Sequence, residues 1–210
     1  PELGLYAVAD GMGGHAAGEV ASSLALEVVK KHIEKNRGKL QQLATNLVQE
    51  KIENVLSLLE QAIQQACQEV FNEAQRDKSR HGMGTTLTMV LTLGGGAFIA
   101  HVGDSRAYLI REGECHQLTV DHSLVSEQIR RGSLSKKDAS RVSYRNVITR
   151  ALGIQPRVKV DSLHLDILPG DWLFLCSDGL HGYLKENEAQ EILNKLSLEQ
   201  AVRAFVDLAN

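Results

Sequence analysis

The sequence has few of the features that mark secreted, membrane-spanning or nucleic-acid-binding proteins. Its three cysteines, Cys67, Cys115 and Cys176, are widely spaced and form no CxxC pair, which argues against a disulfide framework or a zinc knuckle. No apolar run reaches membrane-spanning length, and the first residues lack the basic and apolar regions of a signal peptide. The net charge of −3 provides no strong field for nucleic acid. We therefore expect a cytoplasmic protein with no membrane segment and no nucleic-acid partner.

The composition of the 210 residues is that of an ordinary globular domain, with 43% hydrophobic and 23% charged residues. Helical periodicity predicts one helix over about 19–35 and a second helical region over about 40–76. The second region carries an apolar stripe at spacings of three and four: Val48, Ile52, Val55, Leu59, Ala62, Ala66 and Val70. This stripe favours a helix pair packed on a sheet, and a coiled-coil partner helix is the alternative.

The middle of the chain changes to a period of two, which is typical of strands. Alternating or apolar runs separated by Gly-containing turns predict an antiparallel meander over 86–93, 97–102, 106–110 and 116–119. A further strand is predicted within 158–167, and the chain closes with predicted helices at about 186–195 and 198–209. Helices, then strands, then helices indicate an α+β fold.

Two apolar runs of strand length each end in Asp-Gly, at Asp10-Gly11 and at Asp178-Gly179. The runs predict strands buried on both faces, with a half-desolvated carboxylate where each strand surfaces. Two such ends side by side would form an oxygen-rich site that suits Mg²⁺ or Mn²⁺ better than zinc. The alternative is that each Asp-Gly is simply a turn.

Three other features allow two interpretations each. Asp104 is either a third site acid or the polar residue of a hairpin turn. The Gly-rich stretch 11–18 either binds phosphate through backbone amides or is a flexible connector. His101 lies in an apolar strand pattern, which favours a core histidine with satisfied hydrogen bonds.

Four ordered motifs carry a family resemblance. They are Ala9-Asp10-Gly11-Met12-Gly13-Gly14, Gly82-Met83-Gly84-Thr85-Thr86, Val102-Gly103-Asp104-Ser105-Arg106 and Cys176-Ser177-Asp178-Gly179-Leu180. Together they resemble the metal-dependent serine/threonine protein phosphatases of the PPM, or type 2C, family in its bacterial style. The segments 118–123 and 145–153 are also similar to that family, so that the resemblance covers nearly the whole chain.

The resemblance implies an antiparallel β-sandwich flanked by helical layers and a site for two Mn²⁺ or Mg²⁺ ions, with a possible third. Asp10 would bridge two ions, Gly11 would offer its carbonyl, Asp178 would bind the first ion, and Asp104 would share a third ion with Asp178. The implied reaction is direct hydrolysis of phosphoserine and phosphothreonine in proteins by a water activated between the ions. Residues 123–150 would form the family's flap beside the site.

One position departs from part of the family. Some relatives carry a histidine, a candidate general acid, directly after the first Asp-Gly, whereas this chain has Met12 there. His15 is close by but in a different register, and it is a secondary candidate for that role. The implied partners are phosphorylated proteins, together with a serine/threonine kinase or its targets, and we expect a monomer.

Other family features fall outside the sequence. The family places an Arg and an acid on a strand before the first Asp-Gly and an Asp-Asn pair on its last strand. We therefore expect residues 1–210 to be a single catalytic domain that lacks its terminal strands. The alternatives are a non-catalytic binding module that recognises phosphoproteins, or a phosphatase that acts on an anti-sigma antagonist.

Overall fold

The computed structural model describes residues 4–139, 141–184 and 188–209, without the side chain of His15. The described strands are β1 (Gly4–Val8), β2 (Gly11–Met12), β3 (Gly84–Thr85), β4 (Leu87–Leu93), β5 (Gly96–Val102), β6 (Arg106–Arg111), β7 (Glu114–Gln117), β8 (Asp161–Asp166) and β9 (Trp172–Cys176). The described helices are α1 (His15–Lys35), α2 (Arg37–Leu43), α3 (Gln49–Arg76), α4 (Leu124–Arg130), α5 (Lys136–Ala139), α6 (Asp178–His181), α7 (Glu188–Lys195) and α8 (Leu198–Ala209). Within these residues no helix is both long enough and apolar enough to cross a bilayer.

Two antiparallel sheets form the centre of the fold. One has the strand order β1-β4-β5-β8 and the other β7-β6-β9, while β2 and β3 pair separately. Apolar side chains such as Val90, Ile99 and Ala107 pack between the sheets. Helices α1 and α3 cover the outer face of the first sheet, and α7 and α8 pack against the outer face of the second. The expected sandwich flanked by helical layers is therefore confirmed.

The long helical region differs from its prediction in one place. The predicted helix over 40–76 is two helices, α2 and α3, because the chain turns at Asn46, which has a positive φ of 53°. Beyond this turn the apolar stripe of α3 behaves as expected, since Val55, Leu59 and Val70 are fully buried. Val48, at the start of the stripe, precedes the helix and is exposed.

The predicted meander is wrong at its centre. Strands β4 and β5 form a hairpin, and so do β6 and β7, but β5 and β6 lie in different sheets. The Gly103–Ser105 turn therefore crosses from one sheet to the other. Gly103 makes the crossing possible with a φ of 113°, and its Cα lies so close to Thr86 that a Cβ would stand 2.6 Å from the Thr86 side chain.

The expected burial of the two Asp-Gly strands on both faces is also wrong. In the described residues, β1 and β9 are edge strands of their sheets, and most of their side chains are half-buried, with Tyr6 exposed. Nearly all residues are instead buried in β4 and β5, which lie inside the first sheet.

Candidate active site

The strand registers bring three aspartates to one end of the sandwich. Val8 pairs with Thr88, which places Asp10, two residues on, beside Thr86. Cys176 pairs with Arg106, which places Asp178 beside the turn that holds Asp104. Since the 103–105 turn joins the two sheets at this same end, it brings these acids into one cluster.

The backbone around Asp10 is held by two threonines of the neighbouring segment. The Asp10 amide donates to the Thr86 hydroxyl at 2.9 Å, and the Thr86 amide donates to the Asp10 carbonyl at 2.9 Å. The Thr85 hydroxyl also donates to the Asp10 carbonyl at 3.0 Å. Both threonines are buried, so these hydrogen bonds compete little with water and fix the position of Asp10.

Gly11 follows Asp10 and pairs with Thr85 in the short β2–β3 ladder. Its Cα packs against the backbone of Gly18 in α1, and a Cβ there would lie 1.9 Å from the Gly18 carbonyl oxygen. Glycine at both positions is therefore required for the 11–18 loop to fold back onto the first turns of α1. This close packing disagrees with the flexible-connector interpretation of the loop.

The three aspartates influence one another electrostatically. Burial raises the pKa of Asp10 to about 6, and a hydrogen bond with the Asp178 carboxyl and the charges of Asp178 and Asp104 contribute. Burial also raises the pKa of Asp104 to about 6, together with the charges of Asp178 and Asp121. Desolvation and like charges disfavour ionised carboxylates, and a bound cation would reverse this effect.

The donor set of this cluster fits hard divalent cations. Asp10, Asp178 and Asp104 lie close enough for their charges to act on one another, and their oxygen ligands suit Mg²⁺ or Mn²⁺. Within the described residues, no three His, Cys, Asp or Glu side chains already converge on one ion position. Ions of this kind need only one or two carboxylates each, because they keep several water ligands.

An open cleft of about 810 Å³ lies beside the cluster. Asp104 and Asp178 line one side of it. The predicted flap segment, residues 123–150, supplies other lining residues, including the apolar Val125 and Ile129 and the cationic Lys136. The cleft is therefore lined by the acids on one part of its surface and by apolar and basic side chains of the flap segment on another.

The other sequence predictions have different outcomes. His15 begins α1, but its side chain is outside the described part of the chain, so its role stays a prediction. His101 is a core residue, as expected, with Nδ1 2.8 Å from the Thr88 hydroxyl and Nε2 3.2 Å from the Val120 carbonyl. Cys67 and Cys176 are buried, and burial raises the pKa of both thiols, which disfavours a reactive thiolate at either position.

Sequence reasoning missed two histidines near the cluster. His181 Nε2 donates to the carbonyl of Asp104 at 3.0 Å, and His122 accepts from the Gly103 amide at 3.0 Å. Neither has metal-ligand spacing, and both reach the turn from segments distant in sequence. The motif Asp121-His122-Ser123 was a sign that this segment mattered, but it could not show which atom His122 contacts.

Comparison with known proteins defines the family. Residues 2–208 match the family model described as protein phosphatase 2C. The serine/threonine phosphatase stp of Listeria innocua is 39% identical over 204 residues, which is 97% of this chain and 77% of the relative. The S. agalactiae serine/threonine phosphatase structure has a TM-score of 0.87 and 30% identity, and the match covers 99% of this chain and 81% of that one.

A third relative bears on the metal site. The catalytic domain of the serine/threonine protein phosphatase PstP, solved with two manganese ions, has a TM-score of 0.78 and 30% identity, and the match covers 98% of this chain and 80% of that one. The sandwich, its acid cluster and these matches define a metal-dependent phosphatase. The chain belongs to the protein phosphatase 2C family, which confirms the resemblance inferred from the four motifs.

Proposed function

We propose that this phosphatase hydrolyses phosphoserine and phosphothreonine in proteins, with Asp10, the Gly11 carbonyl and Asp178 as ligands of two Mn²⁺ or Mg²⁺ ions. The observation that carries the proposal is the mutual influence of Asp10, Asp178 and Asp104 at one end of the sandwich. Their presence favours an enzyme over the non-catalytic binding module. Asp104 and Asp178 together would hold a third ion.

Each residue of the site has a defined task in this proposal. Asp10 and Asp178 would hold two divalent cations, and these would lower the pKa of a bound water and neutralise the negative charge of the phosphoryl group. Asp10 and Asp178 keep their carboxylates at the ends of two rigid strands, which fixes the site before substrate arrives. Thr86 holds the Asp10 backbone so that the carboxylate does not need to reorganise.

The flap segment 123–150 is proposed to select the phosphoprotein. Val125 and Ile129 line the cleft with apolar surface, and Lys136 adds a positive charge to the same cleft. A peptide in extended form could use the apolar wall, while the lysine would favour acidic or phosphorylated segments. The biological counterpart would be a serine/threonine kinase that phosphorylates the same hydroxyls. The cytoplasmic location and the monomeric state stay predictions.

The test is hydrolysis of p-nitrophenyl phosphate and of a phosphothreonine peptide with added Mn²⁺, with Mg²⁺ and with excess EDTA. We expect EDTA to abolish turnover and Mn²⁺ or Mg²⁺ to restore it. Asp10→Asn and Asp178→Asn should each lower kcat at least about 100-fold, because a lost ligand removes several kcal/mol of charge stabilisation. Asp207→Asn is the matched control, since it makes the same change at an exposed position on α8.

Two results would contradict the proposal. One is wild-type turnover by Asp10→Asn or Asp178→Asn at saturating Mn²⁺. The other is a phosphoryl group covalently retained on the protein after quenching with labelled substrate, because direct hydrolysis forms no phosphoenzyme.

A further inference from the structure

A buried histidine outside the acid cluster is bonded to the turn that carries Asp104. The side chain of His122 is 4% exposed, and its Nδ1 accepts a hydrogen bond from the Gly103 amide at 3.0 Å. A backbone amide can only donate, so Nδ1 is unprotonated and the neutral ring carries its proton on Nε2. Nε2 lies 3.0 Å from Oδ2 of Asp161, which accepts that proton's hydrogen bond.

The far side of this histidine faces Asp161, which is held in turn by Arg150. Arg150 Nη1 donates to Asp161 Oδ1 at 2.8 Å and lies 2.9 Å from His122 Nε2. Asp161 begins β8, and Arg150 is the last residue of the flap segment, so the carboxylate that holds the ring is itself tied to the flap. A polar ring buried at this level needs such partners, since desolvation without them would cost several kcal/mol.

The backbone of the same residue connects the flap to the turn. The His122 amide donates to the Gly103 carbonyl at 2.7 Å, and the Thr149 amide donates to the His122 carbonyl at 2.7 Å. The next residues continue the pairing, because Ser123 and Ile148 form a bridge. Both ends of the flap segment are therefore hydrogen-bonded side by side next to the Gly103–Asp104 peptide.

We propose that His122, held by Asp161, is a positioning residue that fixes Gly103 at the start of the turn that carries Asp104 and joins this turn to both ends of the flap. Gly103 has a positive φ of 113°. Glycine is conformationally free and has no side chain that could hold the backbone there, so the turn depends on hydrogen bonds from other residues. His122 supplies that stabilisation through two hydrogen bonds: its ring accepts from the Gly103 amide, and its own amide donates to the Gly103 carbonyl. This inference rests on the proposed role of Asp104 as an ion ligand.

Two substitutions separate positioning from simple core packing. His122→Asn keeps an acceptor close to the position of Nδ1 and can still bind the Gly103 amide. His122→Gln places its amide near the position of Nε2, so it can still reach Asp161 but offers the Gly103 amide no acceptor. We expect the Mn²⁺ concentration that gives half-maximal activity of His122→Asn to stay within about threefold of the wild-type value. His122→Gln should need about tenfold more Mn²⁺ for half-maximal activity, as for the loss of one buried hydrogen bond.

A second measurement does not depend on turnover. Amide hydrogen exchange in metal-free protein reports directly on the Gly103 and Thr149 amides. We expect exchange at Gly103 to rise at least about tenfold in His122→Gln and to stay near the wild-type rate in His122→Asn. Ser162→Ala is the matched control, because Ser162 neighbours Asp161 on β8 but donates to Glu60 on α3 instead of joining the cluster.

The outcomes are distinguishable from those of the proposed function. Equal Mn²⁺ requirements and equal Gly103 exchange for the Asn and Gln variants overturn the inference. If Asp104→Asn raises the Mn²⁺ requirement but His122→Gln does not, the inference alone is wrong. If Asp104→Asn does not change the Mn²⁺ requirement, the proposed role of Asp104 as an ion ligand is wrong instead. Should His122→Gln not fold, Asp161→Asn replaces it as the variant that weakens the hold on the ring, and a Gly103 exchange rate equal to that of Ser162→Ala counts against the inference.

Discussion

Asp10 and Thr86 exchange two hydrogen bonds, one through the Thr86 hydroxyl and one through the Thr86 amide, both of 2.9 Å. The Thr86 hydroxyl also lies 2.8 Å from the Ser105 hydroxyl. Because the Asp10 amide donates to Thr86 Oγ1, the hydroxyl proton of Thr86 is free to bond to Ser105. One buried threonine thus connects the first acid of the site to the residue after Asp104.

This relationship predicts different effects for two substitutions of Thr86. Thr86→Val keeps the shape but leaves the buried amide of Asp10 without an acceptor, which costs about 1–3 kcal/mol. Thr86→Ser keeps the hydroxyl and loses only a methyl group. We expect Thr86→Val to lower kcat/KM about tenfold or more and Thr86→Ser to remain within about threefold. Steady-state kinetics at saturating Mn²⁺ provide the measurement, and equal kcat/KM values for the two variants would show that the hydroxyl does not position Asp10.

Gly103 gives a second prediction, on stability. In Gly103→Ala, the new Cβ would meet the Thr86 side chain at 2.6 Å while the backbone keeps a φ of 113°. We expect the free energy of unfolding to fall by at least about 2 kcal/mol, since strain and overlap add. Gly95→Ala is the matched control, because Gly95 also has a positive φ, of 86°, but has nothing within 4 Å of a Cβ. Denaturant unfolding of both variants checks this, and equal losses would mean that packing against Thr86 contributes nothing.

The sequence was sufficient for the parts of the fold that have a local signal. The apolar period of α3, the hairpin between β4 and β5, and the strands that precede Asp10 and Asp178 follow from residues close together in the chain. The acid cluster was inferred from the same logic, because both Asp-Gly pairs follow a strand. The pKa values of Asp10 and Asp104, each raised to about 6, agree with that inference.

The sequence was insufficient where long-range pairing decides the outcome. A strand–turn–strand pattern at Gly103–Ser105 looks the same whether the strands pair or lie in two sheets, so the pattern predicts a hairpin where the chain crosses between sheets. His122 was missed for a related reason. Its partners Gly103 and Asp161 are 19 and 39 residues away, and periodicity carries no information about a contact of that kind.

Metal binding should stabilise the folded protein. A ligand that binds only the folded state adds about 2.7 kcal/mol at a free concentration 100 times its dissociation constant. We expect Mn²⁺ to raise the Tm of the EDTA-treated protein, and to do so far less in Asp10→Asn. Differential scanning calorimetry over a Mn²⁺ series measures this, with Asp207→Asn as the control. An equal Tm increase in Asp10→Asn would place the stabilising ion elsewhere.

The last prediction concerns acid stability and His101. Burial lowers the pKa of His101 to about 4 from its ordinary 6.5, and repulsion from His122, whenever that ring is also protonated, acts in the same direction. Between these values the unfolded chain binds more protons at this residue than the folded protein does. Stability therefore rises with pH across this window and is lost as the pH falls from 6.5 to 4. The full contribution of His101 is on the order of 3 kcal/mol.

The variant His101→Gln isolates this contribution because glutamine does not titrate. We expect the free energy of unfolding to depend less steeply on pH between 6.5 and 4 in the variant than in the wild type, even though the variant is less stable at pH 7. Urea unfolding at several pH values, in EDTA, measures both slopes. Asp10 and Asp104 titrate in both proteins and cancel in the comparison. Parallel slopes would mean that His101 binds its proton equally well in the folded and unfolded chain, and that its burial does not suppress its charge.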